Sequence, residues 1–243
     1  MTIVLPPKPA DPRTFPRLDG HPDFTGVWMT NLFDFVPLDK RASAPTAGSG
    51  PANAGFAKLL AQSPRPTLPS LTPAYQAKQD AWLAAAKAGH PPDDSVSECK
   101  AFGVVRMMAM FPLEFLQTRN QQLTIVLEIL HQVRRIYWDG RKVDPDADPS
   151  YIGQSIGHWE GNTLVVDTTG LLAADVDIDG TWLSNQAHVT ERLTMVNPNG
   201  IVDQITVVDP KALTKPWTFT IPYARAPKGT GLQEYICDNQ HHD

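Results

Sequence analysis

Ser155-Ile156-Gly157-His158-Trp159-Glu160-Gly161-Asn162-Thr163-Leu164-Val165-Val166-Asp167-Thr168 holds the decisive pattern. Tyr151–Trp159 and Thr163–Thr168 are short runs rich in aromatic and β-branched residues. They flank Glu160-Gly161-Asn162, a tight hairpin signal. The same pattern extends in both directions. Leu113–Thr118, Leu123–Leu130 and Val133–Trp138 precede it, separated by short polar turns. Ala187–Val196 and Ile201–Val208 follow, around the hairpin signal Asn197-Pro198-Asn199-Gly200. Trp217–Ala224 and Leu232–Cys237 complete the series, and Phe24–Met29 supplies an earlier strand. No helical pattern falls between these strands, so parallel crossovers are not expected. Sequential antiparallel strands in such number remove their edges by closing. The expected fold is mainly β: an antiparallel up-and-down barrel of about ten strands.

Outside the barrel pattern, Pro6, Pro7, Pro9, Pro12, Pro16 and Pro22 make residues 1–24 an extended arm. Residues 25–243 read as one barrel domain, including a linker over 43–71. Its small-residue part spans 43–56. One helix follows over 73–88. Thr72 suits the N-cap, Pro73 the first turn and Gly89 the stop. Tyr75 and Trp82, seven apart, give it one face for docking.

Composition narrows the function. The chain has 243 residues, with 21 Lys+Arg against 26 Asp+Glu and 42% hydrophobic residues. That apolar content supports a core and excludes a disordered chain. The net charge of −5 disfavours nucleic-acid binding by bulk basicity. No apolar run reaches a membrane span, and the first residues are too short and proline-rich for a signal-peptide core. Cys99 and Cys237 are the only cysteines. They form either a disulfide tying the tail to the start of the barrel or two reduced thiols. The compartment is correspondingly either cytoplasmic or that of a mature exported form.

Gly26-Val27-Trp28 looks like the Gly-x-Trp signature of lipocalin-type barrels, where the Trp plugs the barrel base. Four further phrases are more specific. They are Val133-Arg134-Arg135-Ile136-Tyr137 with Asp139-Gly140-Arg141, the Ser155–Thr168 stretch, His188-Val189-Thr190-Glu191-Arg192, and Asp209–Thr218. Together they resemble a widespread bacterial family of lipocalin-like β-barrel proteins, over roughly residues 20–238. Many members look exported. The resemblance implies the fold and supplies no reaction.

Strand alternation sorts the candidate chemistry. His188, Thr190 and Arg192 share one face, as do Val133, Arg135 and Tyr137. Glu128 shares a face with Thr124 and Val126, and Asp167 with Val165. Which face lines a cavity depends on register, which tertiary pairing decides. In the catalytic reading, His188 is the general base, because its ordinary pKa lies near neutrality. Asp167 or Glu128 orients its other ring nitrogen. Arg135 holds a carboxylate or an oxyanion, and Tyr137 donates a hydrogen bond. The competing reading makes Glu128, Arg135 and Arg192 cross-strand ion pairs on the outer face. His158 has a rim position, His131 lies in a turn, and His241 and His242 belong to a frayed tail. Met107, Met108, Met110 and Phe111 read either as an apolar plug near the barrel mouth or as ordinary core.

Cofactor motifs are not found. Asp175-x-Asp177-x-Asp179-Gly180 matches half a calcium loop, but Gln186 stands where a bidentate Glu belongs; a solvated acidic loop is expected. Asp144-x-Asp146-x-Asp148 is interrupted by prolines. The histidines lack zinc-ligand spacing, and no phosphate loop, dinucleotide fingerprint or Gly-x-Ser-x-Gly elbow occurs. The expectation is a cofactor-independent lyase, isomerase or hydrolase acting on a small, largely apolar molecule. The alternative is a lipocalin-like carrier of such a molecule. Converging ionisable groups inside the barrel favour catalysis, because idle buried charges cost several kcal/mol. A homodimer formed through the arm is a further expectation.

Overall fold

Alternating apolar and polar residues, punctuated by turn formers, produce a sequence of short strands. The computed structural model describes residues 9–30, 68–90, 92, 95, 98–109, 111–176 and 181–235. The arm supplies β1 (Arg17–Leu18) and β2 (His21–Pro22), and β3 is Gly26–Met29. Next come helices α1 (Pro73–Lys87) and α2 (Val104–Ala109). The strands β4 (Leu113–Thr118), β5 (Gln122–Leu127), β6 (Val133–Tyr137), β7 (Gln154–Glu160) and β8 (Thr163–Thr169) follow. A side ribbon of β9 (Ala174–Asp175) and β10 (Trp182–Leu183) precedes β11 (His188–Asn197), β12 (Gly200–Val208) and β13 (Trp217–Arg225).

Nine strands close a barrel in the order β3-β4-β5-β6-β7-β8-β11-β12-β13, with β13 pairing back onto β3. Spatial order therefore follows chain order, as expected. One expectation is corrected. The β6–β7 pair is parallel, matching Ile136 with Ser155 and Tyr137 with Ile156. Strands that strictly alternate direction close only in even number, so nine strands need one parallel seam. Residues 138–153 supply it by carrying the chain back along the length of β6 before β7 begins.

A second correction concerns Leu232–Cys237. Residues 231–234 carry no regular structure, and Tyr235 makes a single bridge to Ile129. With β13 already paired to β3, the barrel offers a further strand no edge. Residues 236 and 237 lie outside the described residues, as does the 43–56 linker segment.

The interior is a continuous apolar core. Leu113, Phe115, Leu123, Ile125, Leu193, Ile205 and Ile221 are fully buried on the inward phase of their strands. Trp28 is also fully buried; its Nε1 donates to the Phe24 carbonyl at 2.7 Å. The Arg225 guanidinium lies 4.2 Å over the Trp28 ring. At the end of the barrel near these residues, the arm folds back on hairpin turns. Ala10 N–H donates to Val196 O at 2.7 Å, and Arg17 Nη2 donates to Asn162 Oδ1 at 3.0 Å. His21 stacks on Trp159 with ring centroids 4.5 Å apart. The arm is not wholly extended: Pro12–Thr14 form a 3-10 turn, and Asp19-Gly20 turn β1 into β2.

The helices sit at the opposite end. Helix α1 begins after Thr72 and ends before Gly89, whose φ of 85° suits a residue without Cβ. Thr72 occupies the N-cap, but its hydroxyl donates to Lys211 O at 2.9 Å. No residue of α1 is fully buried; Tyr75 rests against the core. Helix α2 differs, with all its residues buried. Met107 and Met108 reach the core cluster, and the Tyr223 hydroxyl donates to Met108 O at 2.7 Å. Cys99, just before α2, is disulfide-bonded, and Cys237 lies outside the described residues.

Candidate functional site

Arg134, Ser155, Thr168, Glu191, Asp203 and Tyr223 are the buried polar side chains of the barrel wall that gather in its interior. They come from β6, β7, β8, β11, β12 and β13 respectively. Each occupies the inward phase of its strand, beside residues such as Ile136, Val166, Val189 and Ile205.

Arg134 organises the group. Its Nη1 donates to Glu191 Oε1 at 2.8 Å, and its Nη2 donates to Glu191 Oε2, forming a bidentate pair. Nη2 also donates to Thr168 Oγ1 at 2.9 Å, and Nε to Ser155 Oγ at 3.1 Å. Ser155 and Thr168 face each other across β7 and β8, with their hydroxyls 3.0 Å apart. A single side chain on β6 therefore bridges the parallel seam to β7 and reaches two strands further, β8 and β11. With the charge pair this well satisfied, its burial is tolerable.

Asp203 is different. It is fully buried, and neither carboxyl oxygen has a hydrogen-bond partner among the described residues. It pairs with Leu193 on β11 and Ile221 on β13, so Glu191 and Tyr223 are its diagonal neighbours. Burial, reinforced by the negative charge of Glu191, pushes the Asp203 carboxyl well above its ordinary range; Arg134 opposes this only in part. Asp203 therefore holds its proton to higher pH than an exposed aspartate does. Burial likewise raises the Tyr223 phenol well above its ordinary value, so it stays a neutral donor.

A second buried polar group lies at the helix end. Arg106 of α2 pairs with Asp175, which also accepts from the Ser95 hydroxyl. Nearby, Ser184 donates to Asp209 through its hydroxyl at 2.7 Å and its N–H at 2.6 Å. A shallow depression here is lined by Val104, Val105, Tyr151, Leu171, Asp175 and Ser184, among others. Asp175 is therefore not part of a solvated loop: Arg106 and Ser95 occupy its carboxylate. Asp177 and Asp179 lie outside the described residues. The 144–148 loop is exposed. Among the described residues, no group of three or more His, Cys, Asp or Glu side chains is arranged to hold a metal ion.

The sequence candidates fall elsewhere. His188 and Asp167 do meet, with Nε2 to Oδ1 at 3.1 Å, but on the outer wall, where both side chains are nearly half exposed. Thr190 also donates to Asp167 Oδ1, at 2.8 Å. Arg135 points to solvent. Tyr137 is half-buried beneath the Arg141 guanidinium, which lies 3.6 Å from its ring centroid. Glu128 accepts the Gln233 N–H at 2.9 Å. His158 and Arg192 both bind Glu160 on the exterior, and together they hold its carboxyl below the ordinary range. None of the five proposed catalytic residues belongs to the interior cluster. His188→Ala should therefore change unfolding free energy by no more than about 0.5 kcal/mol. Chemical denaturation checks this; a loss of several kcal/mol would show that the outer pair carries structural weight.

The interior acids do leave a trace in the sequence. Val189, Leu193 and Met195 mark the apolar phase of β11, and Glu191 interrupts it. Ile201, Ile205 and Val207 do the same for β12, interrupted by Asp203. A charge in the apolar phase is the informative signal. Arg134 offers less, because β6 is short and its two phases are equally mixed.

Comparison with protein-family models, curated proteins and solved structures returns no match.

Proposed function

We propose that the barrel encloses a small, largely apolar molecule and performs acid/base chemistry on it, with Asp203 as the acid. The reaction class is that of a lyase, isomerase or hydrolase. The observation that carries this reading is the Asp203 carboxyl: fully buried, without a partner on either oxygen, beside the bidentate Arg134–Glu191 pair. A fold gains nothing from an idle buried acid, and leaving one unsatisfied costs about 1–3 kcal/mol. Perturbed groups converging in one place are the usual mark of a reaction centre.

In this reading Asp203 gives its proton to an oxygen of the bound molecule. Glu191 takes a proton from the adjacent carbon; the pair of that C–H bond becomes a C=C bond while the carbonyl π pair takes up the Asp203 proton, leaving an enol. Where a further C=C bond is conjugated with the enol, return of the Glu191 proton to its far carbon and of the enol O–H proton to Asp203 shifts the double bond and restores both carboxyls. Arg134 positions Glu191, and Tyr223 keeps its proton for Met108 O. Met107, Met108 and Met195 furnish adaptable walls, since methionine side chains repack at low cost. The lipocalin-like phrases quoted above also support a container fold.

The test is to incubate the protein in D2O with a panel of small apolar ketones, esters and carboxylic acids and follow the products by NMR. Solvent deuterium at carbon, or a hydrolysed product, is expected above the buffer rate. The signal should be lost in Asp203→Asn and retained in His188→Ala. A panel member that binds without any exchange or turnover would instead support a carrier, the reading favoured by the wholly apolar remainder of the interior.

A further inference from the structure

We propose that a disulfide between Cys99 and Cys237 is a redox-sensitive clasp. It holds the C-terminal tail against the segments that flank α2, and its reduction loosens that helix from the end of the barrel. The clasp goes beyond the acid/base reading and does not depend on it. Cys99 is disulfide-bonded, and Cys237 is the chain's only other cysteine. Cys99 is half-buried in a turn between the exposed Glu98 and Lys100, which places it within reach of a small reductant.

Residues 99 and 111 stand on either side of α2 (Val104–Ala109). Four residues at this end take left-handed backbone: Cys99 at φ 53°, Phe111 at 48°, Leu130 at 60° and His131 at 45°. Bulky residues keep that conformation only where their surroundings hold them in it. The tail supplies part of that hold. The Tyr235 carbonyl accepts the Leu130 N–H at 3.0 Å, and the Tyr235 ring lies 5.7 Å from that of Phe111. Gln233 N–H donates to Glu128 at 2.9 Å. The β5–β6 turn passes the contact on to α2. Gln132 accepts the Phe102 N–H at 2.9 Å and donates to Phe102 O at 2.8 Å, while Glu128 N–H donates to Pro112 O at 3.0 Å. The barrel ring itself closes without the tail, since β13 ends at Arg225 and pairs back onto β3. Once the covalent link is cut, the tail contacts alone must offset the conformational entropy of the segment. Reduction therefore acts on this end and not on the ring.

The reductant class is a dithiol. Its thiolate attacks one sulfur of the disulfide and releases the other as a thiolate, and its second thiol then displaces the mixed disulfide. Two electrons and two protons pass to the cysteines, and the dithiol leaves as its own disulfide.

The experiment follows amide hydrogen exchange by mass spectrometry on the full chain, oxidised and after reduction with dithiothreitol. A peptide map made without reductant should show residues 99 and 237 in one linked fragment; free thiols, or a link between two chains, would overturn the pairing. Reduction should speed exchange in the peptides covering Val104–Ala109 and Leu130 by at least about tenfold, the scale of one lost hydrogen bond. Peptides from β11 and β12 should not change, and reoxidation should restore the slow pattern. Cys99→Ser should exchange fast without reductant and ignore dithiothreitol; Cys237→Ser, which removes the same bond from the other side, should do likewise. Unchanged exchange around α2 on reduction would overturn the clasp. So would an equal rise in β11 and β12, which would make the bond a staple of the whole fold.

Discussion

Arg134→Met should destabilise the barrel by about 3–5 kcal/mol, the usual cost of leaving one partner of a buried ion pair uncompensated. The side chain is essentially inaccessible, as is Glu191 opposite it. Removing the guanidinium strands the Glu191 carboxylate beside Asp203 and leaves the Ser155 and Thr168 hydroxyls with only each other. It also removes the Arg134–Ser155 hydrogen bond that ties β6 to β7 across the parallel seam, where two residue pairs join the strands. Glu191→Leu added to Arg134→Met should recover most of the loss, because an apolar pair of similar volume avoids the desolvation cost. Guanidinium denaturation of the wild type, the single variants and the double variant measures the coupling. A single variant within about 1 kcal/mol of wild type, far below the cost of an uncompensated buried charge, would refute a buried pair.

Asp203 governs the second large effect, and its sign follows from linkage. The folded-state pKa lies above the ordinary carboxylate value of about 3.9 that the unfolded chain restores. Below that unfolded value both states hold the proton, and the group imposes no penalty. As pH rises past it, the unfolded chain releases the proton while the fold retains it. Stability then falls with a slope of about 1.4 kcal/mol per pH unit until the folded-state carboxyl also ionises. Asp203→Asn keeps the shape and removes the titration. The variant should therefore match wild type near pH 4 and become progressively more stable than it toward neutral pH. Unfolding free energies measured across that window decide the matter. A constant difference between variant and wild type would mean that Asp203 ionises normally in the fold.

The strands themselves were legible because alternation and turn chemistry are local. Glu160-Gly161-Asn162 and Asn197-Pro198-Asn199-Gly200 mark their hairpins, and β7–β8 and β11–β12 form around them. The helix bounded by Thr72 and Gly89 is legible for the same reason. The parallel seam was not. Nothing within residues 138–153 announces on which side of β6 the chain will return; that follows only from closing an odd number of strands.

The site shows the same division more sharply. His188, Asp167, Arg135 and Tyr137 drew attention because their side chains can do chemistry, yet they occupy the phase of their strands that faces outward. Glu191 and Asp203, which lie on the opposite phase, share it with the valines, leucines and isoleucines of the core. The chain's own pattern established that there would be sequential β-strands, where they turn, and which residues share a side. Deciding which side looks inward required the closed ring, because a strand has two faces related by a shift of one residue and only its neighbours choose between them. The same closure brings Arg134 of β6 onto Glu191 of the β11–β12 hairpin, 57 residues further along the chain, and no local rule could have put them together.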